Sequence, residues 1–154
     1  MKRLFSLAAV GVLLICLTAC GSAPVLNASY SGGVQITDGT TNYRADLQTD
    51  GESLTITFSA PESVAGISCS FRDGELHTGL NGLDCIIPAD SLPSSAIPSL
   101  LYEIFSDAES AEYQASEDGT DVFILPSRAG DATVTAKGGV PLTLTRGNLS
   151  VTFR

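Results

Sequence analysis

The sequence is short of the residues on which much protein chemistry depends: 154 residues contain one His, one Met and no Trp. A single His leaves little material for His-based catalysis or for a His-rich metal site. Basic residues are also scarce, because 8 Lys+Arg stand against 17 Asp+Glu, a formal net charge of −9. Nucleic-acid binding needs a basic face that displaces counterions from phosphates, so the charge balance excludes that class of partner. The length fits one domain with a short extra segment.

The apolar residues, 44% of the chain, are spread unevenly, with a dense run at the N-terminus. Lys2 and Arg3 precede a nearly unbroken apolar run over 4–17, which is too short for a transmembrane helix and is typical of a secretory signal peptide. The run ends in Leu17-Thr18-Ala19-Cys20, which resembles a bacterial lipobox. The resemblance implies cleavage before Cys20 and attachment of lipid, palmitate included, to its thiol. The alternative is an ordinary secreted protein in which Cys20 is incidental.

We therefore divide the chain into a lipoprotein signal peptide at 1–19, a lipidated tether at 20–30 and one domain at 31–154. Loss of Lys2 and Arg3 with the leader lowers the formal charge from −9 by two, to −11. A surface of that charge is repelled by anionic lipids, so we expect membrane attachment through lipid on Cys20 rather than through the protein surface. The expected location is the extracytoplasmic face of a bacterial cell membrane.

Within the domain, turn signals such as Asp73-Gly74 and Asn81-Gly82 recur at short intervals and suit hairpins that need positive φ. Between the turns, apolar and polar residues alternate with a period of two, as they do over 54–58 and 149–153. This pattern predicts consecutive strands of an antiparallel meander. The predicted strands lie near 31–37, 41–48, 53–59, 66–72, 75–80, 83–87, 111–116, 120–125, 131–136, 140–145 and 148–153.

One segment departs from the period of two and has an apolar stripe at helical spacing. The stripe consists of Ile97, Leu100, Leu101, Ile104, Phe105 and Ala108. Ser94 or Ser95 is expected to cap the start of this helix, and Pro98 is tolerated in its first turn. The sequence thus predicts a mainly β fold: a strongly curved, unclosed antiparallel sheet of eleven strands wrapped around one amphipathic helix over 96–108.

Cys69 and Cys85 form an even pair in a compartment that permits disulfides, and they are a candidate bond. Both fall on the apolar phase of their strands, but the predicted strand at 75–80 lies between them. Two strand spacings come to about 9–10 Å, whereas a disulfide needs Cα atoms within about 7 Å. Either the sheet curls sharply at this point or the two thiols stay reduced.

The order of local features adds a family resemblance. A strand over 54–60 ends at Pro61-Glu62 and is followed by Gly66 and by the Asp73-Gly74 hairpin. On an exported lipoprotein with this architecture, the order resembles the LolA/LolB superfamily of lipoprotein carriers, whose fold is an unclosed half-barrel. The resemblance implies binding of an acyl chain, a lipid or another envelope protein. Two departures weigh against acyl-chain carriage: the carriers' long N-terminal helix has no counterpart, and Ala60 stands where they often have a basic residue.

Candidate catalytic and metal-binding groups are few. His77 falls on the polar phase of a strand, and no strained nucleophile turn such as G-x-S-x-G accompanies it. Glu117, Asp118 and Asp121 gather at a turn but do not match the spacing of an EF-hand loop. A charged hairpin tip that discourages edge pairing explains them better. We therefore expect a protein that is not an enzyme and that needs no cofactor or metal.

Two functions remain. A scaffold module with a packed core would present a sheet edge or an acidic face to an envelope protein. A carrier or sensor would hold a lipid or a lipoprotein acyl chain in an elongated apolar pocket between helix and sheet. The chemistry slightly favours the scaffold. The residues that would line such a pocket, and that otherwise form the core, are Tyr43, Leu54, Ile56, Phe58, Phe71, Leu101, Ile104, Phe105, Leu144 and Phe153.

Overall fold

The computed structural model describes residues 23–93, 95–128 and 130–154. The predicted signal peptide and Cys20 lie outside these residues. Eleven strands form a single antiparallel sheet in which sequence neighbours are also spatial neighbours, apart from one crossover. The predicted fold class is confirmed, and the alternation of period two is the physical reason: each strand buries one face and exposes the other.

The elements follow the predicted order within a few residues. A 3-10 turn at 89–91 precedes the helix and another at 108–110 follows it. The bounds are β1 Tyr30–Asp38, β2 Thr41–Thr49, β3 Leu54–Ala60, β4 Ser68–Arg72, β5 Glu75–Leu80, β6 Leu83–Pro88, α1 Ile97–Ser106, β7 Glu112–Glu117, β8 Thr120–Leu125, β9 Ala132–Lys137, β10 Val140–Arg146 and β11 Leu149–Phe153.

The first and last strands meet in the middle of the sheet. β1 pairs with β11, so the strand order runs from β6 through β1 and β11 to β7. The sheet does not close, and its two edges, β6 and β7, are the strands that flank α1 in sequence. The connection through α1 therefore carries the chain from one edge of the sheet to the other.

The helix lies on the apolar face of the sheet, as expected. Leu100, Leu101, Ile104 and Phe105 are its buried residues, and they join one core cluster with the inward residues of the strands. Phe105 packs edge-on against Phe153, with ring centroids 5.9 Å apart. No helix in the described part of the chain is long and apolar enough to cross a membrane.

The start of α1 differs from the prediction. Ala96, not a serine, is the N-cap, and it makes no side-chain capping hydrogen bond. Pro98 does lie in the first turn. The predicted place of Pro98 is therefore confirmed, whereas Ser95 lies one residue before the N-cap and Ser94 lies outside the described residues.

The segment before β1, predicted as a tether, is held against the domain in its described part. Leu26 is buried in the core, and the Asn27 N–H donates to the Gly139 carbonyl at 2.8 Å. The chain thus enters the sheet after packing against the β9–β10 turn.

Candidate functional site

The ten predicted pocket-lining residues lie mostly in the core. All but Tyr43 are buried, and half-buried Tyr43 packs edge-on against Phe58, with ring centroids 5.9 Å apart. The buried stripe of α1 occupies the space between helix and sheet. Side chains fill this space, as expected if the ten residues form the core. Their role in lining a ligand pocket stays a prediction.

The surface that stands out is the edge strand β6. Leu83 is 78% exposed and Ile86 is 57% exposed, and Cys85 between them is also exposed. By register, Leu83 and Cys85 lie opposite Leu80 and Thr78 of β5, on the face of the sheet that α1 covers elsewhere. Ile86 lies on the opposite face. This edge strand is therefore apolar on both faces, with Asp84 as its one charged residue.

The backbone of β6 offers unused hydrogen-bonding groups. The two-residue turn at Asn81 and Gly82 has φ values of 51° and 84°, which fit a type I′ hairpin. Such a turn makes its flanking residues a hydrogen-bonded pair, and bonding then alternates along the strand. Leu83, Cys85 and Ile87 therefore bond to β5, whereas Asp84 and Ile86 point N–H and C=O away from the sheet.

The other edge of the sheet is protected by charge. β7 reads EYQASE and is exposed throughout, with a glutamate at each end. Its largest apolar residue, Tyr113, packs edge-on against Phe123 of β8 at 6.0 Å. Charged residues on an edge strand are a common means of preventing unwanted strand pairing. β6, which has a single charge, is the edge that lacks this protection.

The candidate disulfide is not formed in the structure: Cys69 is a buried free thiol and Cys85 is an exposed one. Thr78 of β5 lies opposite both cysteines, one on each side, so a whole strand separates them. The Cys69 Sγ lies 3.8 Å from the Thr78 Oγ1. Burial raises the pKa of the Cys69 thiol above its usual range, while the contact with Thr78 acts in the opposite direction.

A pocket of about 580 Å³ adjoins the end of β6. It lies between the β4–β5 turn, the end of β6 with the segment that follows it, the middle of α1, and Arg128 in the β8–β9 loop. Its floor includes Phe71 and Tyr102, whose rings stack with centroids 4.9 Å apart and planes 8° apart. Of the ten predicted lining residues, Phe71 is the one that borders this pocket. The described residues that line it are Phe71, Asp73, Gly74, Glu75, Pro88, Ala89, Asp90, Leu92, Ser99, Tyr102, Glu103 and Arg128.

The remaining candidate groups are placed as surface features. His77 lies 3.5 Å from the Glu75 carboxylate, and both side chains are partly solvent-exposed. Glu117, Asp118 and Asp121 lie at the β7–β8 hairpin. Among the residues that the structure describes, no group of His, Cys, Asp and Glu side chains is arranged to hold a metal ion.

Sequence reasoning missed both the exposure of β6 and the pocket. A signal for the first is present, because the run 83–87 has one polar residue and lacks the alternation of the other strands. Such a run fits either a strand that is covered on both faces or an exposed edge strand. Only the order of the strands in the sheet distinguishes these two cases. The pocket is lined by four segments that are separate in sequence, at 71–75, 88–92, 99–103 and Arg128, so no local pattern predicts it.

The solved structures that resemble this one include the following two. A crystal structure described as an uncharacterized conserved protein from Thermus thermophilus matches with a TM-score of 0.51 and 10% identity, over 82% of this chain and 77% of that chain. The LolA superfamily protein NE2245 from Nitrosomonas europaea matches with a TM-score of 0.39 and 12% identity, over 77% of this chain and 63% of that chain. No family model and no curated protein matches the chain. The first likeness shows a shared fold; the second is too distant to carry an argument.

Proposed function

We propose that this chain is a lipid-anchored, non-enzymatic binding module on the extracytoplasmic face of a bacterial membrane, and that it accepts an extended segment of an envelope protein along β6. The observation that carries the proposal is the bare apolar edge of β6, in contrast to the acidic edge of β7. A free edge binds a further strand through main-chain hydrogen bonds, while side-chain contacts on alternate positions select its sequence.

The chemistry of β6 defines the segment that fits. Asp84 and Ile86 would exchange backbone hydrogen bonds with it, and Pro88 ends the ladder because it has no N–H to donate. On the helix-covered face of the sheet, Leu83 and Cys85 would contact apolar side chains of the segment. Its other face would meet Ile86. An extended segment with apolar residues on both faces satisfies these requirements.

The lipid anchor supports the same role. A diacyl anchor holds a protein durably at a membrane, whereas a single acyl chain is marginal. A module tethered in this way meets envelope proteins at high effective concentration, so a modest strand interface is sufficient. The protein would thus be anchored to the membrane through lipid on Cys20 and would bind its partner along β6.

A second candidate is a carrier of a lipid or acyl chain inside the half-barrel, which the unclosed sheet around a helix favours. It requires α1 to move outward, because its buried residues occupy the interior. Purification of the membrane-derived protein followed by mass spectrometry distinguishes the two functions. A stoichiometric lipid beyond the covalent anchor supports the carrier and counts against the packed scaffold.

The test begins with a photo-crosslinking residue in place of Ile86 in living cells, with Tyr113 on the opposite edge as the matched control. A partner that crosslinks at position 86 and not at 113 is then purified and mixed with the full chain. Strand addition predicts an alternating hydrogen-exchange signature: the Asp84 and Ile86 amides gain protection on binding, whereas the Cys85 and Ile87 amides are protected already. A partner that binds without protecting Asp84 and Ile86 refutes strand addition.

A further inference from the structure

The pocket at the end of β6 combines negative charge with an apolar floor. Four carboxylates border it, against one guanidinium. The carboxylates belong to Asp73, Glu75, Asp90 and Glu103, and the guanidinium to Arg128. The Glu103 Oε1 accepts the Arg128 backbone N–H at 2.8 Å, which holds this carboxylate at the pocket. At neutral pH the formal balance of the wall is negative, and a concave wall of one sign concentrates counterions.

The floor and one wall of the pocket are less polar than its rim. The stacked rings of Phe71 and Tyr102 form the floor, and Leu92 and Pro88 line one side. The Tyr102 hydroxyl also makes a long contact, at 3.4 Å, to the Glu52 carbonyl oxygen. An aromatic floor beneath a ring of carboxylates is complementary to a side chain with an aliphatic stem and a cationic head.

One polar group in the wall lacks a partner. The hydroxyl oxygen of Ser99, in the first turn of α1, is buried and makes no hydrogen bond among the residues that the structure describes. The oxygen is covered by its neighbours, so a group bound in the pocket reaches it only if the Ser99 side chain turns toward the pocket. A hydroxyl oxygen accepts an N–H as readily as it donates, and this suits a group with several donors.

We propose that this pocket binds the guanidinium group of an arginine side chain. Guanidinium carries several N–H donors in a plane, pairs with carboxylates and stacks on aromatic faces, whereas an ammonium does only part of this. Arg128 does not fill the role itself, because its side chain is exposed and, in the part of the chain that the structure describes, makes no ion pair with these carboxylates. The residues that line the pocket are the basis for assigning it to a guanidinium group.

The source of the arginine rests on the proposed function. Pro88 ends β6 and also borders the pocket, and the Ala89 N–H donates to the Gly74 carbonyl at 3.0 Å, which joins the end of the edge to the β4–β5 turn. A segment paired along β6 therefore runs to the mouth of the pocket. An arginine just beyond the paired residues of the partner would enter it, so the pocket would select partners by one basic residue.

The direct test uses the full chain in a nonionic detergent, labelled with 3-fluorotyrosine. The chain has four tyrosines, and the Tyr102 signal is assigned as the one lost in Tyr102→Phe. The probe is N-acetyl-arginine methylamide, and its neutral isostere N-acetyl-citrulline methylamide is the control ligand. We expect the arginine probe to shift the Tyr102 fluorine signal saturably, to leave Tyr113 unchanged, and to bind more weakly as salt is raised. Citrulline is expected to shift nothing.

Three variants test the charges with opposite signs. Asp73→Asn is expected to weaken binding of the arginine probe by about threefold, and Arg128→Gln to tighten it by a similar factor, as befits partly exposed charges. Asp118→Asn is the matched control, because Asp118-Gly119 forms the same kind of turn as Asp73-Gly74, with φ values of 52° and 53° at the two aspartates. It is expected to leave binding unchanged.

Several results overturn the site: equal binding of arginine and citrulline, a shift at Tyr113 as large as at Tyr102, or equal losses in Asp73→Asn and Asp118→Asn. These measurements are made without any protein partner. Failure here with protection of Asp84 and Ile86 in the partner complex removes the arginine site and leaves strand addition standing. Saturable arginine binding without protection at β6 does the reverse.

Discussion

Leu101 and Leu83 are the same residue in opposite surroundings. Leu101 in α1 is completely buried, whereas Leu83 in β6 is 78% exposed. Leu101→Ala removes buried methyl groups and leaves a cavity, and we expect it to lower the free energy of unfolding by about 2–5 kcal/mol. Leu83→Ala should change it by less than about 0.5 kcal/mol. Urea unfolding followed by circular dichroism measures both, since the chain has no Trp. A comparable loss in the two variants would show that β6 is covered.

Gly138 and Gly139 form another matched pair, in the β9–β10 turn. Both have positive φ, 58° and 83°, so alanine at either position costs about 1–2 kcal/mol in backbone strain. A Cβ on Gly139 would also lie 2.8 Å from the Val25 carbonyl oxygen, whereas a Cβ on Gly138 would meet nothing within 4 Å. Gly139→Ala must therefore displace the segment before β1.

We expect Gly139→Ala to destabilise the domain by about 1 kcal/mol more than Gly138→Ala, as overpacked positions do. It should also speed proteolytic cleavage near Val25. Thermal unfolding and limited proteolysis measure the two effects. Equal behaviour of the two variants would mean that the segment before β1 is not held by this turn in solution.

At the scale of the element, α1 begins without a side-chain cap. Ala96→Ser places a hydroxyl where it can accept a hydrogen bond from the backbone N–H of Ser99, the third residue of the helix. Pro98, the second residue, has no N–H that could compete for this hydroxyl. We expect the serine to raise the free energy of unfolding by about 0.5–2 kcal/mol. Ala96→Val is the control, because it adds bulk without an acceptor. If valine stabilises α1 as much as serine, packing rather than capping limits it.

The strands and α1 could be predicted because the period of their apolar residues is a local property of the sequence. Phe58, Phe71 and Val151 each alternate with polar neighbours, and each lies in the core as that pattern requires. The predicted N-cap was wrong. The residue at which the helical conformation begins depends on how the preceding loop meets the sheet. Period alone fixes the apolar face of α1 but not its first residue.

What covers each face could not be predicted in the same way. Cys85 and Cys69 share the apolar phase, yet Cys69 is buried and Cys85 exposed, since α1 packs mainly against β3 and β4. The pocket depends on long-range assembly as well: Asp73, Asp90 and Glu103 come together only when the sheet curves and α1 crosses it. Local patterns contain the parts of this site but not their arrangement.

At the scale of the whole molecule, the meander sets which strands become edges. β1 and β11 pair in the middle of the sheet, so the two edges fall on the strands that flank α1. One edge carries glutamates and the other carries Leu83 and Ile86. Negative charge over the rest of the surface opposes self-association of such a molecule, which bears on how it can carry a bare apolar edge.

Anchoring to the membrane can be tested at the same scale, because the predicted signal peptide contains a second cysteine that serves as a control. The lipobox resemblance assigns the lipid to Cys20, and Cys16 lies within the apolar run only four residues earlier. We expect Cys20→Ser to abolish incorporation of labelled palmitate and to leave the leader uncleaved. Cys16→Ser should preserve both lipidation and processing. Whole-protein mass spectrometry and metabolic labelling are the measurements; membrane fractionation is not decisive, since an uncleaved leader can hold the chain in the membrane by itself. Palmitate on the Cys20→Ser chain would place the lipid elsewhere and remove the basis for the proposed diacyl anchor at Cys20.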